Sequence, residues 1–202
     1  MANVTFEPQG SANQLGSVIL FANLNSIQVF NMHILQKLCF RMFCLVAGML
    51  ALGLTASANP TAIARFKDWQ VFTEDIGGET ICYAATEATD KAPRTANHGD
   101  VWFYVTYLSS GRIASQPSLR VGYDLREDLP SRARVGRSAW TLFNVGSEAF
   151  ADDEDDPQIV RAIERGSELR VESVSARGTS VAYHFSLSGS ADAISRAASA
   201  CR

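Results

Sequence analysis

The sequence predicts an all-β fold, a sandwich or barrel of about seven or eight strands, with two short helices, the second at the C-terminus. Three observations carry that expectation. Stretches of period-two alternation recur between residues 68 and 187, glycine turn signals separate them at close intervals, and only two segments show helical spacing. The composition is ordinary for a globular chain, with 47% hydrophobic and 19% charged residues among 202. A formal net charge of -3 gives no electrostatic support for a nucleic-acid partner.

Residues 1–58 stand apart from this pattern. Lys37 and Arg41 supply a positive n-region, Phe43 to Leu54 an apolar h-region, and Ala56-Ser57-Ala58 a small-residue cleavage site. Residues 32–58 therefore read as a secretory signal. The apolar run is short for a transmembrane span, and an uncut anchor is the alternative. No cysteine directly follows the cleavage site, which argues against a lipoprotein. Residues 1–31 are weakly patterned, and Met32 or Met42 can equally serve as the start. The expected mature domain is 59–202, with no stable transmembrane span after cleavage. Its roughly 140 residues suffice for one core.

Asp68 to Glu74 alternates, with Trp69, Val71 and Thr73 on one face. Gly77-Gly78 supplies a hairpin turn, and Glu79 to Thr86 returns with Cys82 opposite the face of Ile81, Tyr83 and Ala85. Glu87 to His98 is polar and reads as a loop. Asp100 to Leu108 is apolar on both faces, as in a central strand with aromatic cover. Leu119 to Arg126 alternates cleanly. Ala133 to Val135 and Ala139 to Asn144 flank a turn at Gly136-Arg137-Ser138, and Glu148 to Ala151 adds a short strand.

The acidic run Asp152 to Asp156 precedes Pro157, with Asp156 the expected N-cap. Ile159, Val160 and Ile163 line the helix that follows, and Gly166 is its expected stop. Leu169 to Val174 and Val181 to Leu187 are further strands. The last helix begins near Gly189 or Ser190, and Ala191, Ile194, Ala198 and Cys201 fall on one side of it. Cys82 and Cys201 are the only cysteines after residue 58, and in an exported chain two such cysteines suggest one disulfide.

Motifs for chemistry are sparse. His98 and Asp100 are the material for an acid–base pair, but their setting reads first as a polar loop edge. His184 has no further ligand at metal spacing. The run Asp152 to Asp156 offers carboxylates to calcium, yet lacks EF-hand spacing and reads as a solvated turn. Arg132, Arg134 and Arg137 cluster on a hairpin, where they could meet an anionic surface or serve solubility. There is no G-x-S-x-G elbow and no glycine-rich phosphate loop. No catalytic, cofactor or metal residue is assigned, and no cofactor is expected.

The order of motifs DWQVFTEDIGGETICYAAT, GDVWFYVTYLSS, WTLFNVGSEAFADDEDD and SARGTSVAYHFSLSGSADAISRAASACR resembles the invasion-associated locus B family of alphaproteobacteria, over nearly all of residues 65–202. The resemblance implies an immunoglobulin-like β-sandwich in the periplasm or associated with the outer membrane. It carries no catalytic residue, so a non-enzymatic protein that binds or supports an envelope protein or outer-membrane component is expected. The alternative is a secreted or surface-exposed adhesion or host-invasion accessory. Better-known members have a second cysteine pair; here only Cys82 and Cys201 are present.

Overall fold

The computed structural model describes residues 59–202 except Ile113. The expected signal at 32–58 and the extension before it lie outside the described residues. In chain order the elements are β1 Thr61–Phe66, β2 Trp69–Ile76, β3 Glu79–Glu87, β4 Asp90–Ala92, β5 Trp102–Leu108, β6 Gln116–Arg120, β7 Ser131–Val135, β8 Ser138–Val145 and β9 Glu148–Phe150. Then come α1 Asp156–Arg165, β10 Glu168–Val174, β11 Ser180–Ser186 and α2 Ser190–Ala200. Among the described residues no helix is long and apolar enough to cross a membrane.

The strands form one antiparallel sheet, in the order β1-β2-β3-β5-β6-β9-β8-β7-β10-β11-β4. It is mostly β, as the alternation predicts, but has eleven strands where seven or eight were expected. The sheet has two halves joined through β8. The first part of β8, Ser138–Leu142, pairs with β7, and Phe143–Val145 pairs with β9.

Period-two alternation sends one side of each half into a shared core. Trp69, Val71, Phe103, Val105 and Leu119 come from the first half, and Ala133, Leu169, Val171, Tyr183 and Phe185 from the second. Phe103 and Phe185 meet with ring centroids 5.7 Å apart. Trp69 is fully buried and donates its indole N–H to the Ser186 carbonyl at 3.0 Å, which ties β2 to β11. Ile159, Val160 and Ile163 of α1 close the same core.

Several departures from expectation have local causes. The strand β1 lies just before the expected first strand; its alternation is blurred by a register shift between Ala62 and Ala64. The polar stretch 87–98 contains β4, three residues paired to β11, too short and too charged to show a period. The ladder expected through Arg126 ends at Arg120. Gly122 approaches Gly99 so closely that a Cβ on it would lie 3.1 Å from the Gly99 Cα. Val121 and Leu125 stay buried, but their N–H groups go to Ser147 and Gly146 carbonyls.

At α1 the N-cap is Asp155, one residue before the expected Asp156, and it makes no side-chain capping bond. Gly166 ends α1 in extended rather than left-handed backbone (φ -83°). It is required there by packing, since a Cβ would collide with the Val135 side chain. At α2 the buried residues are Ser190, Ala193, Ile194 and Ala197, whereas Ala191 is exposed and Ala198 half-buried. The helix is thus rotated from the expected face: the side turned to the core carries Ala193, Ile194 and Ala197, with Ala191 outside it. Gly189, its N-cap, has φ 92°, and a Cβ there would strike the Phe66 carbonyl.

Candidate functional site

Cys82 lies on the inward face of β3 and Cys201 at the end of α2; the two are disulfide-bonded, with Cα atoms 5.8 Å apart and a sequence separation of 119. The bond holds α2 on the core side of the first half-sheet, and α1 packs against α2. Neither helix covers that half's other face. A structural disulfide of this span points to an extracytoplasmic protein.

The uncovered face is aromatic. Phe72 of β2 and Tyr83 of β3 stand directly opposite each other and stack, with centroids 5.2 Å apart. Tyr83 meets Tyr104 of β5 edge-on at 5.7 Å, and Tyr104 meets Trp102 at 6.5 Å. The four rings are half-buried. The cross-strand row through Tyr104 continues to Ser118, Phe150 and Phe143, and Phe143 is 49% exposed. Arg120 and Glu148, an ion pair at 3.8 Å, border the strip. Burial, then the charge of Glu74, pushes the Tyr83 phenol up to about 12, and burial also raises that of Tyr104. Both hydroxyls therefore remain neutral donors at ordinary pH. Such a face can present flat apolar area and phenolic hydrogen bonds to a partner. The sequence showed its material as a strand apolar on both sides, but not how β2, β3 and β5 align to make a strip.

His98 and Asp100 are not brought together as a hydrogen-bonded pair. Asp100 is exposed, whereas His98 is buried. The His98 Nε2 lies 2.9 Å from the Pro93 carbonyl, which only accepts, so Nε2 carries the proton. Nδ1 then accepts from the Tyr183 hydroxyl at 3.1 Å, and Tyr183 in turn bonds the Tyr123 hydroxyl. Burial raises both phenols above their usual value. The chain abuts a cavity of about 550 Å³ bordered by Gly122, Asp124, Arg177 and Thr179. Both ring nitrogens of His98 are committed to protein groups, so in this arrangement no lone pair is left to take a substrate proton. Nothing in the sequence linked Tyr123 and Tyr183 to His98.

His184 sits on the outward face of β11, with Nδ1 3.0 Å from Glu168. Among the described residues no group of three or more His, Cys, Asp or Glu is placed to hold a metal ion. The acidic run forms a turn in which the Asp155 and Asp156 N–H groups bond the Asp152 carbonyl. Asp152, Asp153 and Glu154 are exposed and Asp156 is buried. Arg132 and Arg134 project outward from β7, and Arg137 stands at the β7–β8 turn.

These features define a disulfide-closed β protein, with a bond that suggests an extracytoplasmic setting and an aromatic face that the two described helices leave uncovered. No family model matches the chain, and no curated protein matches it. Among solved structures it is similar to the crystal structure of invasion associated protein B from Bartonella henselae, at 14% identity, with 69% of this chain and 98% of that chain covered and a TM-score of 0.49.

Proposed function

We propose that the chain is a non-enzymatic, exported cell-envelope protein of the invasion-associated locus B type, which binds or braces another envelope component through the aromatic face of β2, β3 and β5. The observation that carries this is the strip Phe72, Tyr83, Tyr104 and Trp102, which the described helices leave uncovered. The signal-like segment 32–58, the long-range disulfide and the sequence resemblance support a periplasmic or outer-membrane-associated location. In fold terms the reading is an immunoglobulin-like sandwich, with β8 passing from one half to the other. Enzymatic activity is not part of the reading, because His98, which borders a cavity, has both ring nitrogens hydrogen-bonded to protein groups.

The test is capture from envelope extract by the tagged, oxidised protein, beside a Trp102→Ser, Tyr104→Ser variant, with cell fractionation in parallel. The wild type is expected in the periplasmic or outer-membrane fraction, capturing a component that the variant retains at least tenfold less well. Equal capture by both forms would remove the aromatic face from the mechanism. Recovery of the protein only from the medium or the outer cell face would favour the adhesion accessory instead.

A further inference from the structure

The second half of the sheet turns a very different face outward. Arg134 of β7 stands directly opposite Arg170 of β10, Arg170 opposite His184 of β11, and Arg132 opposite Glu172. Two guanidinium groups facing each other across a ladder are unfavourable by themselves. Partial relief comes from Glu172, 2.7 Å from Arg170, and from Glu168 beside His184. Among the described residues Arg132, Arg134 and Arg137 form no ion pair, and all three are exposed. The chain as a whole is acidic, so this is a positive patch on a negative molecule.

Beside the arginines is an apolar rim. Leu129 is 42% exposed, and Pro130 and Pro93 line a shallow cavity of about 550 Å³ together with Arg132, Arg170 and Glu172, the last already paired with Arg170. Guanidinium groups match phosphate oxygens in a bidentate way, and an apolar rim next to them matches the boundary between headgroups and acyl chains. A soluble polyanion would satisfy the arginines but leave that rim in water.

We propose that the outer face of β7 and β10, with Arg132 and Arg134 on it and Arg137 at the adjoining turn as the cations without an ion pair among the described residues, docks on a phosphate-bearing lipid surface. The inference rests on the envelope reading above for where such a surface is met, and adds the partner class and the contact. A cation near an anionic leaflet contributes about fivefold in binding, so three together contribute about a hundredfold at low salt.

The test is co-sedimentation of the oxidised protein with vesicles of phosphatidylcholine alone and of phosphatidylcholine with one third phosphatidylglycerol. Binding is expected only to the second kind, weakening steeply as salt rises. An Arg132→Ser, Arg134→Ser, Arg137→Ser variant should lose at least tenfold, and the corresponding triple Lys variant should keep most of the binding. An Arg161→Ser, Arg177→Ser, Arg196→Ser variant removes the same charge elsewhere and should bind as wild type. Equal binding to both vesicles, no loss in the first variant, or equal loss in the last would overturn the proposal. So would tight binding to heparin with none to vesicles, which would move the face to a polysaccharide. Thermal unfolding of each variant separates lost contact from lost fold. Failure here with correct fractionation leaves the envelope reading standing; vesicle binding by a protein that is never exported does the reverse.

Discussion

The two halves of the sheet have interchangeable interiors and opposite exteriors. Inward, Val71 and Phe103 on one side and Val171 and Phe185 on the other are the same chemistry, and they meet in one core. Outward, the first half presents Phe72, Tyr83, Tyr104 and Trp102, and the second presents Arg132, Arg134 and Arg170. The alternation that makes a strand constrains only the inward set. Outward positions are then free to differ, so what the molecule does is read from the face that the fold does not need. The helices sharpen the contrast. They lie on the core side, with α2 fastened to β3 of the first half only.

That asymmetry can be broken at the disulfide, where the largest effect is expected. Replacing Cys82 and Cys201 by alanine opens a closure spanning 119 residues of sequence. In the chain-entropy model this removes about 4–5 kcal/mol. Denaturant unfolding of the oxidised wild type against the double variant measures the loss. Hydrogen exchange should show protection falling first in α2 and β1–β3, with β10 and β11 following only on global unfolding. Exchange from α2 at the same free energy as from β10 and β11 in the double variant would mean that the halves do not differ in how they are held.

The seam between the halves is the next most sensitive point. Asn144 of β8 is buried, and its Nδ2 donates to the Arg126 and Leu129 carbonyls at 2.9 and 2.8 Å. Its Oδ1 accepts from the Ser131 hydroxyl at 2.6 Å, and Ser131 shares a bond with Ser173 of β10 at 2.7 Å. One side chain thus links the last part of β8 to β7, to β10 and to the 126–129 turn. Asn144→Leu keeps the branched shape in a larger side chain and removes the amide's bonds; the Leu129 carbonyl loses its partner, while the Arg126 carbonyl keeps the Leu129 N–H and Ser131 keeps Ser173, so the cost is about 1–3 kcal/mol. The denaturation midpoint checks this. A change below about 0.5 kcal/mol, the scale of an ordinary surface substitution, would mean that water replaces the amide.

Most inward positions were legible in the sequence, because alternation is a local property. Trp69, Val71, Phe103, Leu119, Val181 and Phe185 all follow from the period. Features made by non-local alignment were not. The aromatic strip depends on the register of β2, β3 and β5, and the Arg134–Arg170 pair on that of β7 and β10. The bond from Tyr183 to His98 joins residues 85 apart. Short elements failed for a different reason: β4 has three residues, two of them charged, and no run long enough to reveal a period. In α2 several small residues offered rival apolar faces, so the sequence could place the helix but not its rotation.

Asp156 gives the smallest effect and tests whether the acidic turn belongs to the fold or only decorates it. Its carboxyl is buried at the first position of α1, and Oδ1 has no hydrogen-bond partner. Burial, followed by the charges of Asp153, Asp155 and Asp152, raises its pKa to about 7. The helix N-terminus favours the anion, but evidently less than burial and three neighbouring carboxylates oppose it. With the folded value above the ordinary carboxylate value, the native state holds more protons than the unfolded chain between about pH 4 and 7. This group's contribution therefore falls as pH rises through that window, and above it the buried anion is a net cost. Asp156→Asn should raise the stability at pH 8 by roughly 1 kcal/mol, or a few degrees in Tm. It should have little effect at pH 4.5, where the native carboxyl is already neutral. Thermal unfolding of both forms at the two pH values measures the difference. An equal shift at both would show that the asparagine acts through packing or capping, and that the aspartate does not titrate with folding.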